Sequence, residues 1–221
     1  MIGEAQTTAV IAPVVGVISA LLVRPVLKRL PEPANSGGKT RYCDLGSPRF
    51  LIRCGVLALL ATAISWLSLP LYAQPMWLVL ASLGVLLAAI DARTSWMPLR
   101  LTQIGWLAMA TAGLIATLLS GAVGVAGRAV AGAAIAGALY LFVWLISRGG
   151  FGFGDVRFAP LLGSAAAADS WTLLWLTLLL GTVVGGFIGL LQLARGRQEA
   201  FPYAPSMLTG AYAACLAALL T

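Results

Sequence analysis

The chain has 221 residues, 60% of them hydrophobic and only 10% charged, with a mean hydropathy of +0.96. A water-soluble domain cannot hide that much apolar surface, so the composition excludes one and implies a polytopic membrane protein. The formal net charge is +7 and there is no histidine. The missing histidine removes every Ser-His or Cys-His dyad and every H-E-x-x-H zinc site, which leaves carboxylates as the candidates for hydrolytic chemistry.

Charge-free intervals run over residues 5–23, 54–90, 101–127, 129–147, 170–194 and 200–221. Each is long enough to cross a hydrocarbon core of about 30 Å as a helix. The 54–90 interval accommodates two crossings, divided by a turn between Pro70 and Pro75. Short period-2 strands are absent, which argues against an outer-membrane barrel. The first apolar segment has no basic stretch before it and is followed by charge, so it is expected to be a retained helix and not a cleaved signal peptide.

Short cytoplasmic loops are enriched in arginine and lysine, and this bias sets the orientation. Arg24, Lys28, Arg29, Lys39, Arg41, Arg49 and Arg53 follow the first helix, opposed only by Glu32 and Asp44. Residues 24–50 therefore read as a short basic cytoplasmic loop, with Pro31, Pro33, Asn35, Ser36, Gly37 and Gly38 giving its centre a flexible composition. Alternating crossings then place the 70–75 turn outside, residues 91–100 inside, the turn near 120–124 outside and Arg148 inside. Residues 158–168 are apolar but few; reading them as a short span returns Arg195 and Arg197 to the cytoplasm. Of 14 basic residues, 13 then lie inside, and Arg128 is the exception. The expected fold is an all-α bundle of about eight transmembrane helices, one of them short and following Asp155, forming a single domain over residues 1–221.

Topology accounts for the positive charge without nucleic acid, and anionic lipid headgroups are the expected membrane partner. Cys43, Cys54 and Cys215 are too few and too scattered for a disulfide framework, no C-x-x-C pair exists, and no metal is expected. Among the seven acids, Glu4, Glu32, Asp44 and Glu199 fall in loops or termini, and Asp169, just before Ser170, reads as a helix cap. Asp91 and Asp155 differ, because each adjoins an apolar segment. An aspartate at mid-bilayer costs about 2.5–3.5 kcal/mol, so such residues face the bundle interior and carry function.

Both fall at the cytoplasmic surface in this topology. Two carboxylates in a partly dry site share one proton, which makes an acid and a base from identical residues. Gly152 and Gly154, flanking Phe153 just before Asp155, suit the close approach of an extended peptide backbone. Arg93 and Arg157 are placed either to tune the pair or simply as inside-facing positive charge. The same two acids could instead serve a small proton- or cation-coupled transporter, or be idle in a scaffold of a pilus or secretion machine.

The Gly152-Phe153-Gly154-Asp155 string, with Arg157 and Leu161-Leu162-Gly163 after it, resembles the second signature of the type IV prepilin peptidases, within the Gly-x-Gly-Asp membrane aspartyl proteases. Asp91 followed seven residues later by Pro98 and then Leu101-Thr102 is similar to their first signature. Arg29-Leu30-Pro31 and Pro202-Tyr203-Ala204-Pro205 resemble further landmarks, the latter a Pro-Phe-Gly-Pro motif. The resemblance implies an aspartic endopeptidase of the cytoplasmic (inner) membrane of a prokaryote, cleaving leader peptides from pilin-like precursors at the cytoplasmic face. Asp91 and Asp155 would be catalytic, with Gly152, Gly154, Pro98, Arg157, Pro202 and Pro205 shaping the site. Many members have a larger first loop with two C-x-x-C pairs and also N-methylate the new N-terminus. Here the loop holds only Cys43; no cofactor is implied for proteolysis, and S-adenosylmethionine only if the methyltransferase activity is retained. Leu99 and Arg157 also depart from the pattern, where an acid or amide and a lysine are usual; arginine keeps lysine's charge but not its compact ammonium.

Overall fold

The computed structural model describes residues 2–31, 41–148, 151–196 and 202–219, with side chains at the N-terminal end from Thr8 onward. Glu32, Lys39, Arg197 and Glu199, residues 33–38 of the first loop and the side chain of Glu4 lie outside the described residues.

Eight helices are described: α1 (Ile2–Arg29), α2 (Pro48–Ser68), α3 (Leu71–Thr94), α4 (Leu99–Ser120), α5 (Gly124–Ile146), α6 (Phe153–Asp169), α7 (Trp171–Ala194) and α8 (Ala204–Ala218). There is no strand among the described residues. Six of the eight, all but α6 and α8, are long and apolar enough to cross a membrane, and the protein is a multi-pass membrane protein. The boundaries follow local chemistry. Ser47 caps α2, its Oγ accepting the Phe50 N–H at 3.4 Å, with Pro48 in the first turn where a missing N–H costs nothing. Gly121 ends α4 with φ +64°, in the left-handed region that a glycine enters freely.

The two helices that carry the singled-out aspartates are the interior ones. Residues 161–168 of α6 are all buried. Within its most apolar stretch α3 is 67% buried, against 22% for α1 and α5. Outer helices turn leucines outward, Leu21, Leu107 and Leu118 among them. Lipid is as apolar as leucine, so helix association there depends on close packing through small residues. Three contacts supply it. A Cβ on Gly16 of α1 would lie 2.8 Å from the Gly55 carbonyl oxygen of α2. Gly132 of α5 meets Gly163 of α6 backbone to backbone, and Gly210 of α8 meets Gly181 of α7 in the same way.

Although short, α6 packs along most of α5, antiparallel to it. Phe153 in its first turn packs on Trp144 near the end of α5, with ring centroids 5.1 Å apart. In its last turn the carbonyls of Ala167 and Ala168 accept from Arg128, near the start of α5, at 3.2 Å (Nε) and 2.8 Å (Nη2). The Tyr72 hydroxyl, at the start of α3, donates to Asp169 Oδ1 at 3.2 Å, whereas Asp91 lies near the other end of α3. The one basic residue that the sequence sets apart thus has a local role: its guanidinium satisfies helix-terminal carbonyls where a cation is favoured. Asp169 is not the cap expected of it. Ser170 takes that place, its Oγ accepting the Leu173 N–H at 3.2 Å, while Asp169 ties α6 to α3.

The first loop is also less open than its composition suggests, as far as it is described. Tyr42–Leu45 form a 3₁₀ turn in which Tyr42 and Leu45, three residues apart and so on one face, are both buried. The Tyr42 hydroxyl reaches the Trp96 carbonyl at 3.5 Å, which ties this loop to the end of α3.

A side chain at Gly163 has no room beside Gly132. Gly163→Val is expected to lower stability in detergent by about 1–3 kcal/mol. Gly189→Ala, where an added Cβ meets nothing within 4 Å, should be neutral in the same melting experiment.

Candidate active site

Asp91 lies in the last turn of α3 and Asp155 in the first turn of α6; only 7% and 5% of their surfaces are exposed. They share one end of the bundle and are within electrostatic reach of each other. A third element arrives between them. The backbone N–H of Ala204, the first residue of α8, donates to Asp91 Oδ2 at 3.3 Å and also interacts with the Asp155 carboxylate. That N–H is available because the first turn of a helix has no internal acceptors for its donors. Pro205, the next residue, carries no N–H, and the positive end of the α8 dipole faces the two acids. Among the described residues the buried Asp155 Oδ1 has no hydrogen-bond partner, so it is free to carry a proton.

The spacing of the first signature has a physical content. After Asp91 the helix runs three more residues, and Ser95, at φ +52°, turns out of it with its N–H on the Asp91 carbonyl oxygen at 2.7 Å. Thr94 Oγ1 closes the turn, donating to the Ile90 carbonyl at 2.9 Å while accepting the Trp96 N–H at 3.2 Å. Pro98 then opens α4 and its carbonyl accepts from Thr102 Oγ1 at 3.1 Å; Leu101 and Thr102 are both buried. One helical turn, a tight reversal and a proline stop consume the seven residues.

This reversal lands on the second signature. A Cβ on Gly154 would sit 2.9 Å from Met97 Cβ, and one on Gly152 would sit 3.0 Å from Asp155 Oδ2. Both glycines therefore have an internal reason: Gly154 lets the start of α6 close on the reversal that follows α3, and Gly152 leaves room for the Asp155 carboxylate. Trp106 Nε1 donates to the Arg157 carbonyl at 3.0 Å, fastening α4 to the same turn. The Arg157 guanidinium lies over the Phe153 ring at 4.7 Å, and Arg93 is exposed. Pro202 and Pro205 are half-buried, on either side of Tyr203 and Ala204.

Aromatic packing holds the N-terminus of α8 in place. Tyr203 stacks edge-on with Phe151 at 5.1 Å and lies 6.1 Å from Tyr140, which is 5.8 Å from Phe151. Its ring occupies the space that a Cβ on Gly185 of α7 would need, and its hydroxyl reaches the Gly181 carbonyl at 3.5 Å. Sequence reasoning singled out the two prolines here but missed Ala204, Met97 and this aromatic group. Only the Pro202-Tyr203-Ala204-Pro205 landmark hinted at them. Among the described residues no group of three or more His, Cys, Asp or Glu gathers as a metal site.

The model of the type IV leader peptidase family matches residues 78–190, just over half of the chain and both aspartates. The chain belongs to the type IV leader peptidase family. Two curated relatives, each a prepilin leader peptidase/N-methyltransferase, come from Burkholderia pseudomallei strains 1026b and K96243. Each is 32% identical over 191 residues, covering 78% of this chain and 56% of the relative. The chain thus spans little more than half the length of those relatives. No solved structure matches it significantly. The family match ends before Pro202, so the α8 contribution to this peptidase-family site stands on the structure alone.

Gly154→Ala drives a methyl group into Met97. It is expected to lower the melting stability by about 1–3 kcal/mol, and Met97→Gly, which removes the opposing Cβ, should recover much of that in the double variant.

Proposed function

We propose that this protein is an integral-membrane aspartic endopeptidase that removes the short leader from pilin-like precursors at the cytoplasmic face of the inner membrane. The observation that carries the reading is the pairing of Asp91 and Asp155, buried at one end of the bundle around the Ala204 N–H. Family membership supports it, and so does the lack of histidine, which leaves carboxylates as the acid and base.

In the proposed reaction the ionised member of the pair takes a proton from a water molecule as its oxygen attacks the scissile carbonyl carbon. The protonated member gives its proton to the carbonyl oxygen, and a tetrahedral intermediate forms. Collapse breaks the C–N bond while a proton passes to the leaving nitrogen, so the products are a leader ending in a carboxyl group and a mature chain with a free amine. The N–H of Ala204 holds the acceptor oxygen of Asp91 in place through these steps. The face assignment rests on the arginines beside the carboxylate end, Arg93, Arg100, Arg148 and Arg157, and on the usual excess of such residues in cytoplasmic loops. Methylation of the new amine, which the names of the Burkholderia relatives include, is not part of this proposal.

Co-expression with a candidate precursor tests it. Asp91→Asn and Asp155→Asn are each expected to slow leader removal by at least about 100-fold, the scale of a lost acid or base. Cleavage that continues in either variant would overturn the assignment. Uptake of a solute that depends on both aspartates, with no proteolysis, would point to a transporter instead.

A further inference from the structure

Helix α8 starts without a side-chain cap. Tyr203 holds the cap position, and its side chain makes no hydrogen bond to the first turn. A helix start of this kind leaves its first amides to be held by other means, and the first amide of α8 is the one that Asp91 and Asp155 use. That amide belongs to the peptide unit joining Tyr203 to Ala204, which is a rigid plane. On one side its carbonyl accepts the Ser206 and Met207 N–H groups at 3.0 and 3.1 Å, and on the other its N–H meets Asp91 Oδ2 at 3.3 Å. Rotating the plane takes the N–H off the carboxylate.

The ring of Tyr203 is seated on α7, a helix with no charged residue from Trp171 to Ala194. A Cβ on Gly185 would lie 2.7 Å from the ring Cζ and closer still to Cε2, so the ring fills the place of the missing side chain. Phe151 closes on it edge-on, and Tyr140 lies within hydrogen-bond reach of its hydroxyl. We infer that Tyr203 is a positioning residue for the peptidase reaction proposed above, its ring seated on Gly185 so that the Ala204 N–H stays on the carboxylate pair. The ring carries this role more than the hydroxyl, whose contact with the Gly181 carbonyl, at 3.5 Å, is at the far limit of a hydrogen bond.

Tyr203 acts on the acids only through the amide that follows it. Displacing the ring therefore changes how Asp91 is aimed and not how a precursor is held, so the loss falls on kcat and leaves KM in place. Gly185 becomes a determinant of the rate although it lies on a helix that carries neither acid.

The test uses the purified protein in detergent with a synthetic precursor: a short basic leader, a Gly-Phe junction and an apolar helix of about 20 residues. Tyr203→Leu, which removes the ring atoms seated on Gly185, and Gly185→Ala, which displaces them, are each expected to lower kcat at least about tenfold with KM within about twofold. Tyr203→Phe keeps the ring and should recover most of the lost rate. The double variant should be no slower than Tyr203→Leu alone, because the methyl group then has no ring to displace. Gly186→Ala, where an added Cβ meets nothing within 4 Å, should match the wild type.

A second readout needs no cleavage. Tyrosine labelled at its carbonyl carbon with ¹³C and alanine labelled with ¹⁵N mark the Tyr-Ala amides at 72–73, 203–204 and 212–213. The amide signal that Asp91→Asn moves should shift upfield in Gly185→Ala and stay in place in Gly186→Ala. Wild-type kcat in Tyr203→Leu and Gly185→Ala, a loss confined to KM, or an equal loss in Gly186→Ala would overturn the inference. If the wild-type protein leaves the precursor intact, the peptidase reading fails, and the amide signal still decides whether the Tyr203 ring holds the Ala204 N–H on the pair. Should Tyr203→Leu fail to fold, Gly185→Ala and its Gly186→Ala control carry the decision.

Discussion

One backbone N–H, that of Ala204, is where the structure converges. Helices α3, α6 and α8 bring to a single point a residue from position 91, one from position 155 and one from position 204. Burying a carboxylate is expensive unless it is hydrogen-bonded or paired, and a donor left over at a helix start is one such partner here. A full countercharge would favour the ionised form of an acid strongly. A helix terminus supplies only a fraction of a charge, so it orients Asp91 while leaving the acids free to exchange a proton.

Keeping that point fixed takes packing at both ends of the bundle. At the carboxylate end Met97 presses on Gly154, Trp106 holds the Arg157 carbonyl, and Phe151 and Tyr140 wedge Tyr203 against the glycines of α7. At the other end Tyr72 joins α3 to Asp169, and Arg128 closes the last turn of α6. Between them Gly132 and Gly163 set the depth of α6 against α5 by direct backbone contact. The aspartate-bearing helices are thus clamped along their length, and a shift of one relative to the other would break contacts at both ends.

Much of this was legible in the sequence, and the pattern of what was not is informative. Charge-free stretches and the arginine count lead to eight helices, because hydrophobic thickness constrains each crossing independently of its neighbours. Asp91 and Asp155 stand out for a similar reason, since an acid beside an apolar segment is costly wherever it packs. By contrast, Ala204 has no side-chain chemistry to notice; its role comes from the position of an amide between residues 113 apart in the chain. Asp169 was visible but misassigned for a related cause: a cap is a plausible local explanation, and only the packing of α6 beside α3 shows its partner, Tyr72. Arg128 stood out as an outlying charge, and the antiparallel fit of α5 and α6 shows which carbonyls it meets. Gly152 and Gly154 read as room for a substrate, yet their immediate neighbours are Asp155 and Met97.

The shortness of α6 has a physical consequence for the site. Seventeen residues rise only about 25 Å, several ångströms less than a hydrocarbon core of about 30 Å. Its last turn is held by Arg128 of α5 and Tyr72 of α3, and its first turn by Trp144 near the end of α5, which packs on Phe153. Asp155 follows Phe153 by two residues and Asp91 sits three residues before α3 stops at Thr94, so the contacts that fix the short helix also bring the two acids to one end of the bundle. With the last turn of α6 fixed, one more turn in that helix would move Asp155 about 5 Å along the axis, away from Asp91 and from the Ala204 amide.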